Sequence, residues 1–286
     1  MKTRRATTAW AVLIAATLIS VACDWTIGTD MPNNLGAGAS SDPFPAIVDH
    51  LDATVDGLTD AELAAARALS VAYWHTSHGS QLVTGNDGMD AFYGGQGRFV
   101  LGGQDGLALD EQGTDIGNPG LEDFDASIRA YLADHADTDV VMASWCGQVS
   151  GASEAMIDRY LEIMGAFETE FPSVDFVYMT GHADGSGLSG NLHIRNQQVR
   201  EHCVANGSWL YDFYDIECYD PDGTYYGDRN VDDACGYDGG NWARAWQDAH
   251  PGQWWECSSA HSEALNANQK AKAAWQLWAL IAADRS

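Results

Sequence analysis

Four times along the chain a helical pattern is followed by a short apolar run ending in polar residues. This alternation restricts the possible folds more than any other feature. "LEDFDASIRAYLADH" sets Leu121, Phe124, Ile128, Tyr131 and Leu132 on one helical face, and "TDVVMASWCGQ" follows as a buried strand leading into a loop. "SEAMIDRYLEIMGAFETEF", with Ser153 as N-cap and Glu154 and Asp158 near its start, precedes the strand "SVDFVYMTGH", and "NQQVREHCVANGSWLYDFYDIE" repeats the pair. Upstream, "TDAELAAARAL" is a helix capped by Thr59 that leads into the buried strand "SVAYW". Such alternation predicts an α/β fold of three layers, α/β/α, around a mostly parallel sheet. The closing segment "LNANQKAKAAWQLWALIAA" places Ala267, Ala271, Ala274, Trp278 and Ile281 on one face, as a helix packed on that sheet. The Gly-rich stretch from Gly85 to Gly120 has little periodicity and reads as covering loops.

The chain of 286 residues shows no internal repeat and is expected to form one domain, residues 44–286, with an acidic insertion rich in Cys and Trp at about 219–256. Lys2, Arg4 and Arg5 followed by an apolar run from Ala9 to Ala22 read as an export signal over residues 1–22. Residues 23–43 are dominated by Gly, Ser, Asn, Asp and Pro and read as a flexible tether. The net charge of −27 becomes −30 once Lys2, Arg4 and Arg5 leave with a segment that holds no acids, which excludes nucleic acid as an expected partner. Besides Cys23 there are Cys146, Cys203, Cys218, Cys235 and Cys257. In an exported chain the last four suggest disulfides across long loops, with the pairing among them open and Cys146 left free.

In a doubly wound sheet, ligands sit at the carboxyl ends of the strands. Those ends carry "HTSHGSQ", "SWCGQ" and "TGHADG", a concentration of small nucleophiles and imidazoles. A serine attacks a carbonyl when a base takes its proton and donors stabilise the oxyanion, and a strand-to-loop junction supplies both exposure and free amides. Cys146 with one of the neighbouring histidines is a second possible nucleophile, and Ser80 a rival to Ser77. His75, His78 and His182 allow a metal-dependent hydrolase instead. "DPDGTYYGDRNVDD" brings Asp220, Asp222 and Asp228 into one loop that could hold a structural calcium, although its spacing is not that of an EF-hand.

The order of these blocks resembles a divergent member of the SGNH (GDSL-type) hydrolase superfamily. "HTSHG" stands where that family carries its nucleophile, which points to Ser77; "DIGNPGLEDF" stands where it carries an oxyanion glycine, Gly117; "SWCGQ" stands for its G-x-N block, with Gln148 in place of the asparagine. "SSAHSEALNANQKA" corresponds to the final D-x-x-H, giving His261 as base but Ser258 where the orienting aspartate belongs. The resemblance implies a serine esterase with a Ser77–His261 dyad and the amides of Ser77 and Gly117 with the Gln148 side chain as oxyanion donors. Glu256 and Asp248 are the candidates for the missing carboxylate, and His75, His78, His182 and Cys146 for the pocket. It requires no cofactor. Trp242, Trp246, Trp254 and Trp255, if exposed, would favour a carbohydrate ester as substrate. The rival from another class is a non-catalytic surface protein that binds glycan or calcium. "LISVAC" resembles a bacterial lipoprotein signal, which implies a lipid on Cys23 and association with the cell envelope; ordinary cleavage and secretion is the alternative.

Overall fold

The apolar runs form the interior of a six-stranded sheet in which every pairing is parallel. A computed structural model describes residues 47–286; the signal segment, Cys23 and the tether lie outside the described residues. In chain order the strands are β1 (Ile47–Val48), β2 (Ser70–Trp74), β3 (Ala108–Gln112), β4 (Val140–Ala143), β5 (Asp175–Met179) and β6 (Trp209–Tyr211). Across the sheet they run β1-β6-β5-β4-β2-β3. Leaving β1 aside, this is the flavodoxin-like order 2-1-3-4-5 with β2 as its first strand. From β2 the chain steps outward to β3, then returns past β2 to β4 and continues the other way. The sheet therefore has its topological switch point between the carboxyl ends of β2 and β4.

Two cores lie on opposite faces, as the two-residue period of a strand requires. On one face Ala72, Trp74, Val141, Ala143, Phe176, Tyr178 and Leu210 meet α4 (Leu121–Asp134), α5 (Glu154–Glu170) and α6 (Asn191–Asn206). On the other, Val71, Tyr73, Val140, Met142, Val177 and Met179 meet α1 (Asp60–Arg67) and the last helix, α9 (Ala264–Asp284), whose Trp275 and Trp278 are fully buried. The shorter helices α2 (Ser80–Thr84), α3 (Met89–Phe92), α7 (Phe213–Glu217) and α8 (Trp242–Ala249) lie in the connections. Thr59 caps α1 in a reciprocal box with Glu62, and the Ser153 hydroxyl accepts from the Met156 amide at the start of α5. None of the described helices is long and apolar enough to cross a membrane.

The structure departs from the sequence reading in three places. The Gly-rich stretch is not all loop: it contributes β3, an edge strand of sequence ALDEQ registered on β2 from Ser70–Ala108 to Trp74–Gln112. The tryptophans of the insertion are not exposed. Trp242, Trp246 and Trp255 are buried, and the Trp254 indole is half-buried and donates to the Gln247 carbonyl. Trp242, Trp246 and Trp254 pack around α8 and a two-stranded hairpin, β7 (Gly236–Tyr237) and β8 (Gly240–Asn241), and Trp255 joins the opposite core against Phe92 and Tyr93, so they make no stacking platform. The expected disulfides are also absent: Cys146, Cys203, Cys218, Cys235 and Cys257 are all free thiols. Cys203 sits on the inner face of α6, Cys218 ends α7, and Cys235 and Cys257 contact Ser262 and Asn268, so each fills its own packing site. Burial pushes the thiols of Cys235 and Cys257 up to about 12, which leaves them chemically quiet.

Candidate active site

At the switch point the turn after β2 presses against the residue after β4. A Cβ added to Gly79 would stand 2.1 Å from Ser144 Oγ and 2.6 Å from the His75 Cβ, so only glycine permits this approach. The Gly79 carbonyl is held by the Tyr73 hydroxyl at 3.0 Å. The close seat brings Ser77 and His78, on one turn, up to Cys146 on the other. Ser77 Oγ lies 3.6 Å from Cys146 Sγ, and His78 Nδ1 lies 3.2 Å from the same sulfur.

The other nitrogen of His78, Nε2, is 2.9 Å from an Asp233 carboxylate oxygen contributed by the insertion. Burial pushes His78 below the usual imidazole range, and the neighbouring imidazoles of His182 and His261 act the same way, partly offset by Asp233. Burial alone would raise the Asp233 carboxyl, but the His78 hydrogen bond and the nearby imidazoles hold it below the usual carboxylate range. At neutral pH the pair is therefore a neutral imidazole donating Nε2–H to a carboxylate, an assignment that follows from the hydrogen-bond partners. That tautomer leaves the Nδ1 lone pair facing the Cys146 thiol. A thiol, an imidazole and a carboxylate thus stand in one continuous chain, an arrangement suited to nucleophile, base and orienting acid.

His78 is the middle ring of a stack of three. The His182 ring is parallel to it at 3.6 Å and the His261 ring lies at 4.4 Å, inclined by 13°. His182 is buried; its Nδ1 donates to the Ala183 carbonyl at 2.8 Å and its Nε2 has no partner among the described residues. His261 is exposed and sits in the left-handed region, φ 63°. His78, Asp233 and His261 bring ligand atoms within 4.8 Å of one another, a donor set of the kind that holds zinc. The rings of His78 and His261 are nearly parallel, however, so their in-plane lone pairs do not converge, and a metal would require one ring to turn.

The remaining residues named from sequence are distributed as follows. His75 points to the sheet edge, its Nε2 2.9 Å from Glu111, and does not join His78 and His182. The Ser80 hydroxyl donates to the Ser77 carbonyl at 2.7 Å and closes the turn. Gln148 has its side-chain amide engaged: Oε1 accepts from the Cys146 amide and Nε2 donates to Asp115, both at 2.8 Å. Asp115, 1 % exposed and raised by its burial, also accepts from the Thr76 hydroxyl. It thus ties the turn of Ser77 to the turn of Cys146. Gly117, at φ +83°, lies against Gln148 and Trp145. The amides of Ser77 and Gly117 donate to no acceptor among the described residues.

No hydrogen bond joins His261 to Ser77 among the described residues, and Glu256 and Asp248 are exposed and make no hydrogen bond or ion pair with His261 there. Asp220, Asp222 and Asp228 are not gathered either: Asp220 accepts from the amides of Asp222 and Thr224 and from Tyr226, Asp222 accepts from Trp246, and Asp228 is exposed. Asp233 is the residue whose role sequence reasoning missed, since its partner lies 155 positions away. Two cavities, of about 360 Å³ beside Asp158 and His202 and about 220 Å³ beside His50 and Asp220, lie away from the stack. Neither wall sets a thiol or a serine hydroxyl beside an imidazole, as the switch point does. Compared with models of known protein families and with curated proteins, the chain matches none.

Proposed function

We propose that the chain is a hydrolase that cleaves an acyl bond, ester or thioester, through a covalent intermediate on Cys146. The observation that carries this reading is the chain Cys146 Sγ to His78 Nδ1 at 3.2 Å and His78 Nε2 to Asp233 at 2.9 Å. In the first step the thiol proton passes to His78 Nδ1 as sulfur forms a bond to the carbonyl carbon. Asp233 stabilises the imidazolium, and the unengaged amides of Ser77 and Gly117 receive the oxyanion. The leaving group departs with the proton held by His78. His78 then takes a proton from water as its oxygen attacks the acyl carbon, and returns that proton to the departing Cys146 sulfur as the acid is released.

The SGNH-type reading, with Ser77 as nucleophile and His261 as base, is kept as the second. It is favoured by the strand order, by the position of Ser77 at the switch point, and by the same two amides. In both readings an exported, tethered chain would act on a small ester without a cofactor; the choice between them is whether the Ser77 oxygen or the Cys146 sulfur attacks the carbonyl carbon. Activity-based probes separate them. With iodoacetamide and a fluorophosphonate applied in parallel at pH 7 and peptides identified by mass, modification of Cys146 faster than of the other thiols is expected. Rapid fluorophosphonate labelling of Ser77 with a sluggish Cys146 would transfer the assignment to the serine esterase. Labelling at neither residue would favour a binding protein, and activity abolished by a chelator a metal enzyme.

A further inference from the structure

Beneath the three-histidine stack lies an ion pair with no access to solvent: the Lys270 ammonium from α9 and the Glu217 carboxylate from α7, 2.5 Å apart and each 0 % exposed. Burying two charges is costly, and such a pair is a weak source of stability compared with apolar residues of the same volume. Its placement gives it another use. Glu217 turns its second oxygen to the amide of Ala183, 2.6 Å away, the residue after His182. Lys270 also donates to the side-chain oxygen of Gln81, in the helical turn that begins just after His78. Gln81 in turn donates its amide to the carbonyl of Ala260, the residue before His261, at 2.5 Å. The third side of the ammonium is closed by the Phe213 ring, 3.6 Å to its centroid.

We infer that the buried Lys270–Glu217 pair, through Gln81, is a clamp that sets the mutual position of His78, His182 and His261. These histidines come from three connections that share no strand or helix, the turn after β2, the turn after β5 and the segment entering α9. Each arm of the network ends within three residues of one ring. Lys270, Glu217 and Gln81 are positioning residues: Glu217 and Gln81 touch the backbone beside the rings and Lys270 joins the two, and none touches the reacting atoms. The inference rests on the proposed reading only for its catalytic consequence, since the geometry of the stack exists whether or not Cys146 is the nucleophile.

The test is the imidazole nitrogen spectrum of the full domain, for the wild type, for Glu217→Gln, and for Lys270→Met combined with Glu217→Gln. The double variant removes both charges together, so no lone charge is left buried and the chain can fold. In the wild type, His78 is expected to give two well-separated nitrogen signals, those of a fixed Nε2–H tautomer. In the folded variants those signals are expected to move to the averaged positions of a ring exchanging between tautomers, with Cys146 alkylation at pH 7 slowed about tenfold, the equivalent of one hydrogen bond lost. Retention of the wild-type ring signals and alkylation rate in the folded double variant would overturn the clamp. Ring signals that collapse in the variants support it even if wild-type Cys146 reacts no faster than an ordinary thiol; that slow reaction would count against the thiol hydrolase alone.

Discussion

Cys146→Ala is expected to lower turnover of p-nitrophenyl acetate and of a small acetyl thioester by about 10³-fold or more, the scale on which loss of a nucleophile is felt. Ser77→Ala is expected to cost about tenfold at most, because there the loss is one hydroxyl contact beside the sulfur and the backbone amide survives. The two variants are discriminating because the side chains are neighbours, 3.6 Å apart, in the same environment. A simple disturbance of the turn would affect both. Steady-state kinetics with circular dichroism as a fold control is the measurement; the reverse ranking would hand the chemistry to the serine.

The same kinetics followed against pH test the state of His78. Its pKa is depressed, first by burial, so the base form persists below the ordinary imidazole value of about 6.5. The acid limb of the profile should accordingly fall below that pH. Stability follows the same sign: the unfolded chain takes up protons more readily at His78 and Asp233, whose folded values are both depressed. Their contributions are complete above the unfolded values, about 6.5 and 3.9, and are lost as pH falls through the folded ones. Asp233→Asn removes the group that holds the Nε2–H tautomer and is expected to lower turnover by about 10³- to 10⁴-fold. Unlike Ser77→Ala, it should also move the acid limb further toward acid, since Asp233 raises the imidazole.

Much of the sheet was legible in the sequence because its strands are buried on both sides and announce themselves as apolar runs. "SVAYW" is β2 residue for residue, and the caps at Thr59 and Ser153 stand where the hydroxyls suggest. β3 was hidden for the opposite reason. As an edge strand it carries Asp110 and Glu111 and exposes most of its length, so no alternation marks it, and it holds its place by backbone pairing to β2. The strand ends gave the neighbourhood of the site, and with it Ser77, Cys146, His78 and His182. They could not give Asp233, which belongs to an acidic run whose members look alike until the insertion folds. One of those acids lands on an imidazole and Asp220 closes a turn. Lys270 was hidden as well: its neighbours Asn266, Asn268, Gln269 and Lys272 read as a polar helix start, and only the fold shows that this turn is buried and that the lysine there meets an anion.

That buried lysine leads to the largest effect expected on stability. Lys270→Met alone leaves Glu217 charged, 0 % exposed and without its counter-ion, and is expected to destabilise the fold by about 3–5 kcal/mol. Adding Glu217→Gln should recover most of that loss, because the amide is neutral, fits the same volume and can still accept from the Ala183 amide. The coupling is therefore expected to be large and positive in a double-mutant cycle followed by urea unfolding. A double variant as unstable as the single would mean that the ammonium stabilises through Gln81 and the Phe213 face more than through the ion pair. If the cycle closes as expected, stability and positioning separate: the double variant would stand folded with its histidines released. The cost of burying two charges would then be accounted for by the order they impose on the three loops that carry the stacked histidines.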